Sequence, residues 1–346
     1  MRASVLIIVF VAGSLWAQQR SDSTTYSYDV HGRRTSGLST ATITGKGQTS
    51  QTVRTTSVNG RDVPLEKVDE KVLEDGPRGR VIERTIQRYD QNGAPTPPER
   101  IRIEERPGAG GRSTTTTTYF ESDINGRFQV RQRERTQATT TDTRKDATTV
   151  VERPNLNGGM SVAERRVITE TSRDSGSTRD VTVYRRDMSG SFVPSNREVS
   201  ETVETEGGST TTTNRYNTAN SDATMALADQ TVTDVETRAD GSRTTVVSIY
   251  GAAQPGRPGR GGSQDVFLRE KLTTESRVER DGSVVETTGV QRVSLSDPNR
   301  LEPYQPVSET VCRGACLEQK PAGAEKEETA SGNAAQGEAQ ETARNN

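Results

Sequence analysis

Cys312 and Cys316 are the only thiols in the chain, and they lie in the segment CRGAC. Three residues separate them, whereas the common redox motif has two. A closed zinc site takes four ligands, and the single histidine, His31, is distant in sequence. In an exported protein, two thiols this close on a turn are expected to form a disulfide. The sequence therefore predicts a structural disulfide that closes the last hairpin, and no metal site.

Catalytic groups are hard to assemble from the remaining residues. His31 falls at the tip of a predicted turn, and the motif Gly-x-Ser-x-Gly is absent. Acidic residues recur before turn glycines, and their simplest role is to bond the turn backbone. Calcium binding at these turns is an alternative, although an EF-hand loop needs more carboxylates within twelve residues. We expect no catalytic residue and no cofactor. The acids in question are Asp29, Asp90, Asp123 and Asp187.

The charge balance excludes one class of partner. Lys and Arg number 46 against 48 Asp and Glu, which gives a net charge of −2. A dedicated nucleic-acid binder normally carries a basic surface. We therefore expect no nucleic acid as a partner, and the partner itself is unknown; an envelope polysaccharide or protein is compatible with the sequence.

These residues belong to a chain whose turn glycines recur at regular spacing. One series of turn glycines has spacings of 28, 33, 33, 32 and 32 residues. Asn-Gly and Asp-x-x-Gly between β-rich runs favour hairpin turns, because Gly and Asn accept positive φ. A fixed period of this length indicates a repeat architecture. The series consists of Gly32, Gly60, Gly93, Gly126, Gly158 and Gly190.

The segments between the turns favour strands. Thr and Val are abundant, and residues 180–184 alternate polar with apolar side chains. We predict an all-β fold: an elongated antiparallel meander or solenoid of about sixteen to eighteen strands, in two-strand repeats of about 32–33 residues. Propeller blades are the alternative. An outer-membrane barrel has a suitable strand count but needs an apolar band and aromatic girdles, and aromatic residues are only 4% of the chain. Disorder of the whole repeat region is a further alternative.

Three regions follow from composition. Residues 1–17 resemble a signal peptide, with Arg2, an apolar run and Trp16-Ala17 before the cleavage point; an uncleaved anchor is the alternative. Residues 18–316 hold about eight to nine repeat units, with a loop insertion at 251–262. Residues 317–346 form a tail that we expect to be disordered. The mature chain should therefore be periplasmic or extracellular, with no stable membrane span after cleavage.

One turn resembles a known repeat. Tyr28-Asp29 followed by Gly32-Arg33 is similar to the YD, or Rhs, repeats of bacterial surface and toxin-delivery proteins. Tyr89-Asp90 with Gly93 matches in part, and Asp123 with Gly126-Arg127 keeps half of the motif. The resemblance covers two or three turns and implies a strand-rich extracellular scaffold without catalytic residues.

Repetition, export and the lack of a catalytic constellation lead to an expected function. We expect a non-catalytic repeat protein with a structural or adhesive role at the cell envelope or outside the cell. A polysaccharide-binding module that uses Tyr184, Tyr216 and Tyr250 is the first alternative. A carboxylate-dependent hydrolase is the second.

Overall fold

The alternation of β-branched and charged residues produces strands along the chain. Within the residues that it describes, the computed structural model contains eighteen strands, at the upper end of the expected range. The strands are β1 Gln19–Tyr28, β2 Arg34–Gly45, β3 Gln48–Thr56, β4 Asp62–Gly76, β5 Gly79–Arg88, β6 Glu99–Pro107, β7 Arg112–Ser122, β8 Phe128–Thr140, β9 Arg144–Pro154, β10 Met160–Arg173, β11 Gly176–Arg186, β12 Phe192–Thr205, β13 Gly208–Thr218, β14 Met225–Thr237, β15 Arg243–Ala252, β16 Val266–Val278, β17 Val284–Arg292 and β18 Gln305–Gly314.

The structure describes residues 19–29, 31–45, 48–56, 62–90, 92–123, 125–218, 224–252, 266–294, 296–297 and 300–314. The predicted signal peptide, most of the loop insertion and the predicted tail lie outside these residues. The chain divides into two units between Cys316 and Leu317, where the sequence predicts that the tail begins.

Consecutive strands pair in antiparallel fashion throughout the sheet, which confirms the all-β meander. The two ends of the sheet pair with each other. β1 pairs with β2 and also with β18, with Thr24 opposite Val311 and Thr25 opposite Thr310. The meander therefore closes into one eighteen-stranded sheet, and separate propeller blades are excluded. Closure removes the unpaired edges that an open sheet exposes.

The connections fall on two rims of the closed sheet. We call rim 1 the end at which odd-numbered strands lead into even-numbered ones, as in the β11–β12 connection at 187–191. Rim 2 is the opposite end, where even-numbered strands lead into odd-numbered ones, as in the β12–β13 connection at 206–207. Such strict alternation follows from an up-and-down meander.

A β-bulge marks the even-numbered strand of eight of the nine hairpins that turn at rim 1. Arg131, Ala163 and Ser195 are bulge residues 32 residues apart, so the bulges follow the same period as the turns. The step from Ala228 to Arg269 is 41 residues, because the loop insertion lies between them. The repeat unit is therefore a bulged hairpin.

The register assigns every strand residue to one of two faces. Side chains alternate along a strand, and directly opposed residues share a face. Face A is defined as the face of Thr211 and Thr213 on β13, and face B as that of Thr210 and Thr212. Ion pairs between side chains of different strands always join residues of one face, which agrees with the assignment.

The core is thin, as the composition suggests. Val151 is the largest fully buried side chain, at 1% exposure. More buried side chains belong to face A than to face B. Those on face A are Ser21, Ile82, Ala138, Ala147, Thr149, Val151, Glu164 and Val290, and those on face B are Val81, Ser248 and Val285.

Candidate functional site: rim 1 and the charged network of face A

Five turns at rim 1 share one hydrogen-bonded geometry. In the turn at 187–191, the Oδ1 atom of Asp187 accepts hydrogen bonds from the backbone N–H groups of Ser189 and Ser191, each at 2.9 Å. Asn155 does the same with its amide oxygen. These bonds confirm the expected role of the turn acids. The acceptors are Asp29, Asp90, Asp123, Asn155 and Asp187.

The hydrogen bonds have an electrostatic consequence at Asp187. The Ser189 hydroxyl donates to the carboxylate at 2.7 Å, and this bond holds the pKa of Asp187 below its usual value. Backbone N–H groups act in the same direction. Because Oδ1 already accepts several hydrogen bonds, the carboxylate serves the turn backbone.

The predicted turn glycines lie where positive φ is required. Gly190 has φ of 85°, and its N–H donates to the Asp187 carbonyl at 3.1 Å. Gly32, Gly93, Gly126 and Gly158 also have positive φ, between 73° and 79°. Gly60 lies outside the described residues. His31 is exposed at its turn tip, where its backbone N–H bonds Asp29.

Face A carries a charge ladder, which we define as Lys145, Glu170, Arg179, Glu198, Arg215 and Asp229. These residues contribute one side chain each from β9 to β14, with charges that alternate in sign. Charged atoms of successive members lie 3.0–3.5 Å apart. Three positive and three negative charges leave the ladder neutral.

A second network, the Glu164 cluster, lies on the same face. The Glu164 carboxylate accepts hydrogen bonds from Arg166 at 2.6 Å and from Arg185 at 3.1 Å. Arg166 also lies 3.6 Å from Glu134. Burial raises the pKa of Glu164, but the two arginine hydrogen bonds outweigh burial, so its pKa lies below the ordinary value. The carboxylate is therefore held ionised.

Aromatic residues gather at rim 1. The described chain holds all eight Tyr and four of the five Phe, and each lies in a rim 1 connection or within four residues of a strand end at that rim. We call the face B members of this group the aromatic collar. The collar contains Tyr26, Phe120, Tyr184, Tyr216 and Tyr250, each third from the end of its strand, Tyr28, which is last in its strand, and Phe128 and Phe192, each first in its strand.

Arginines lie against the collar. The Arg100 guanidinium lies 4.2 Å from the centre of the Phe128 ring, and that of Arg34 lies 4.7 Å from the Tyr26 ring. Arg186 lies 5.1 Å from the Phe192 ring. Contacts of this kind are attractive by about 0.5–1 kcal/mol at exposed sites. Rim 1 therefore combines aromatic rings with fixed cations.

The seam between β18 and β1 is held by polar contacts on both faces. On face B, the Tyr28 hydroxyl donates to Glu309 at 3.0 Å, and Arg34 forms an ion pair with the same carboxylate. On face A, the hydroxyls of Thr25 and Thr310 are 2.9 Å apart. Residues nearly three hundred positions apart in sequence thus close the sheet.

The other predictions concern the disulfide, metal binding and a membrane span. Cys312 on β18 is not a free thiol, but Cys316 lies outside the described residues, so their pairing stays a prediction. Among the described residues, no cluster of acidic, histidine or cysteine side chains could hold a metal ion. No helix in the described part of the chain is long and apolar enough to cross a bilayer.

A shallow groove of 530 Å³ crosses β7 to β10 near rim 2. Its polar wall includes Asp146, whose carboxylate is bonded by Arg144 at 2.7 Å and by the Thr169 hydroxyl at 3.1 Å. The Arg144 hydrogen bond lowers the pKa of Asp146. The carboxylate already has protein partners, so we assign no ligand to the groove.

Known proteins resemble this chain in structure but not in sequence. No family model matches the chain, and no curated protein matches it. The YD-type resemblance therefore stays a prediction. Solved structures do match, and one of them is Pseudomonas aeruginosa OccK2 (OpdF) in complex with glucuronate. It is 8% identical, with a TM-score of 0.49 over 86% of this chain and 97% of that chain.

The function expected from the sequence is wrong. A structural or adhesive role was expected from repetition, export and the lack of a catalytic constellation, whereas the pairing of β1 with β18 closes the repeats into a ring.

Sequence reasoning missed the collar and the ladder for different reasons. The collar has a local signal, because Tyr26, Tyr184 and Tyr216 precede their turns by the same distance. The low overall number of aromatic residues does not show this spacing. It becomes visible when the repeats are aligned by their turns. The ladder has no local signal, because Glu198 and Arg215 meet only through the strand register.

Proposed function

We propose that the protein forms the wall of a water-filled passage for polar solutes, outside the cytoplasm. The pairing of β1 with β18 carries the proposal, because it turns the meander into a closed ring of eighteen strands. Rings of about 16–18 strands are too wide for side chains to fill, and they leave an aqueous channel. Export by residues 1–17 and a periplasmic or extracellular location belong to this proposal.

Face A is proposed to line the passage. Side chains converge on the inner side of a closed sheet and diverge on its outer side, so the inner face is the more crowded. Face A holds most of the buried side chains, including Glu164 at 8% exposure. Its ion pairs present alternating charges without a net charge, which favours a hydrated lining for polar solutes of either sign.

Face B is proposed to be the outer surface. Away from the collar it carries charged side chains, such as Lys67, Arg135 and Lys271. A barrel that spans a bilayer presents an unbroken apolar band to lipid. Face B has no such band in the described part of the chain, so we propose that this wall stands in water.

Size-dependent thiol labelling tests the passage. Thr213→Cys places a thiol on face A and Thr212→Cys places one on face B, next to each other on β13. A small methanethiosulfonate reagent should label both variants. A polyethylene-glycol maleimide too large to enter the ring should label Thr212→Cys and spare Thr213→Cys.

The two variants control each other, because they share residue type, strand and position within the sheet. Equal labelling of both by the large reagent would contradict an enclosed passage. The reverse pattern would keep the passage but exchange its inner and outer faces. Labelling is done in solution, without lipid.

A further inference from the structure

Two turn tips at rim 1 expose large apolar side chains to solvent. Leu156 and Met188 each occupy the second position of a turn, directly after Asn155 and Asp187. Both side chains are fully exposed, at 106% and 108%. Isolated exposed apolar residues are ordinary, but these two recur at one position of a repeated turn. Val30 and Ile124 occupy the same position in sequence and lie outside the described residues.

The turn geometry itself accounts for none of this exposure. The hydrogen bonds of the 187–191 turn involve the Asp187 carboxylate and the backbone N–H groups of Ser189 and Ser191. The side chain at the second position makes none of these bonds, so a polar residue would serve the turn equally well. Gln91 takes that position in the turn of Asp90. An apolar tip therefore calls for a separate explanation.

Behind the tips lies the aromatic collar. Tyr side chains near a polar boundary are typical of a membrane interface, because the ring is apolar and the hydroxyl stays in contact with water. The Phe192 ring is 36% exposed and follows directly on the turn that Met188 tops. Apolar tips in front and aromatic rings behind match the depth profile of an interface.

Rim 2 provides the contrast. No aromatic residue lies at the rim 2 strand ends within the described residues. Its exposed apolar side chains, such as Leu73 and Val278, are strand residues and lie outside the turns. The two ends of one closed sheet therefore differ in chemistry.

We infer that rim 1 docks on a lipid bilayer, with the turn tips inserted among the acyl chains and the collar at the level of the headgroups. Arg186, which lies against the Phe192 ring, then faces the phosphates. The inference goes beyond the proposed passage, since it says which end meets a membrane. Insertion of a few apolar side chains is reversible and does not require a spanning band.

Vesicle binding tests this inference. Residues 18–346 are co-sedimented with vesicles of phosphatidylcholine and phosphatidylglycerol, at low and high salt. We expect binding that largely survives high salt, because apolar insertion is not screened. Leu156→Ser with Met188→Ser should reduce the partition constant about ten-fold, because two apolar side chains no longer leave water. The matched control, Leu73→Ser with Val278→Ser at rim 2, should change it by about two-fold or less.

A fluorescent reporter protects the test against misfolding of the serine variant. Trp16 is the only tryptophan in the sequence, so the chain from residue 18 has none. Met188→Trp should show a blue-shifted emission when vesicles are added, whereas Val278→Trp should show no shift.

Three results would overturn the inference. The first is the absence of vesicle binding by the unmodified chain. The second is an equal loss of binding in the rim 1 and rim 2 serine variants. The third is concentration-dependent dimerisation without lipid that Leu156→Ser and Met188→Ser abolish, since rim 1 would then bind a second copy of the chain. Because thiol labelling needs no lipid, failure of the docking leaves the test of the passage intact.

Discussion

The rim 1 turns are held by contacts between residues close in sequence, whereas the charged network of face A joins residues that are distant in sequence. In a turn, Asp187 bonds residues two and four positions ahead of it. In the charge ladder, Arg215 meets Glu198 and Asp229, which lie 17 and 14 positions away on neighbouring strands. The turns are thus fixed by local sequence, whereas the ladder exists only when the strands are in register. The turns determine where the chain reverses direction. The charged network forms only after the strands have paired in the correct register.

The largest effect should come from removing the centre of the Glu164 cluster. Glu164→Ala leaves two arginines without their buried carboxylate, and we expect the free energy of unfolding to fall by about 2–3 kcal/mol. Urea denaturation measures the change. Asp180→Ala, which removes the exposed partner of Arg197 on face B, is the control and should cost about 0.2–1 kcal/mol. Equal losses would mean that the two faces are equally solvated.

The pH dependence of the same site sharpens the comparison. The folded-state pKa of Glu164 is lowered, so its contribution is present above the unfolded pKa of about 4.3 and is lost as pH falls through the folded value. The difference in unfolding free energy between the unmodified chain and Glu164→Gln should be constant near neutral pH and shrink below about pH 4.3. The lowered pKa values of Asp187, Asp240 and Asp281 cancel, because both proteins retain these residues. A difference that grows on acidification would contradict the assignment.

A local turn should give a smaller loss. Gly190 has φ of 85°, and Gly190→Ala should lower the free energy of unfolding by about 1 kcal/mol, because a Cβ atom is strained there. Gly76 has an ordinary φ and open space around its Cα, so Gly76→Ala should change it by less than about 0.5 kcal/mol. Thermal unfolding of both variants distinguishes backbone strain at Gly190 from a general destabilising effect of replacing glycine with alanine.

The smallest effect should come from the hydroxyl pairs of face A. Thr202 and Thr211 lie with their Oγ1 atoms 2.9 Å apart on β12 and β13. Thr202→Val keeps the shape and the β propensity but breaks this pair, and we expect a loss of about 0.2–1 kcal/mol. Thr212→Val on face B is the comparison at a neighbouring position, with no loss expected. Equal effects would show that valine on this strand acts through packing alone.

The sequence predicted the features that depend on few residues. Strand content, turn positions and the role of Asp187 all follow from local patterns of Gly, Asp and β-branched residues. Closure did not follow, because nothing near Thr25 signals that Thr310 will lie opposite it. The sequence also gave no sign that Glu164 would be buried between two arginines, since abundant Arg and Glu fit any strand surface. Long-range register, and the faces that it creates, is the part that local patterns leave open.

The central claim is that the sheet closes between β18 and β1, and a disulfide trap tests it most directly. Thr25→Cys with Thr310→Cys places two thiols on directly paired residues. Thr25→Cys with Thr213→Cys, whose second thiol lies on β13, is the control. On mild oxidation, non-reducing electrophoresis should show an intramolecular disulfide in the first variant and not in the second, at a rate independent of protein concentration. Formation only of disulfide-linked dimers, or of no disulfide between these two thiols, would contradict a closed ring and restore an open sheet.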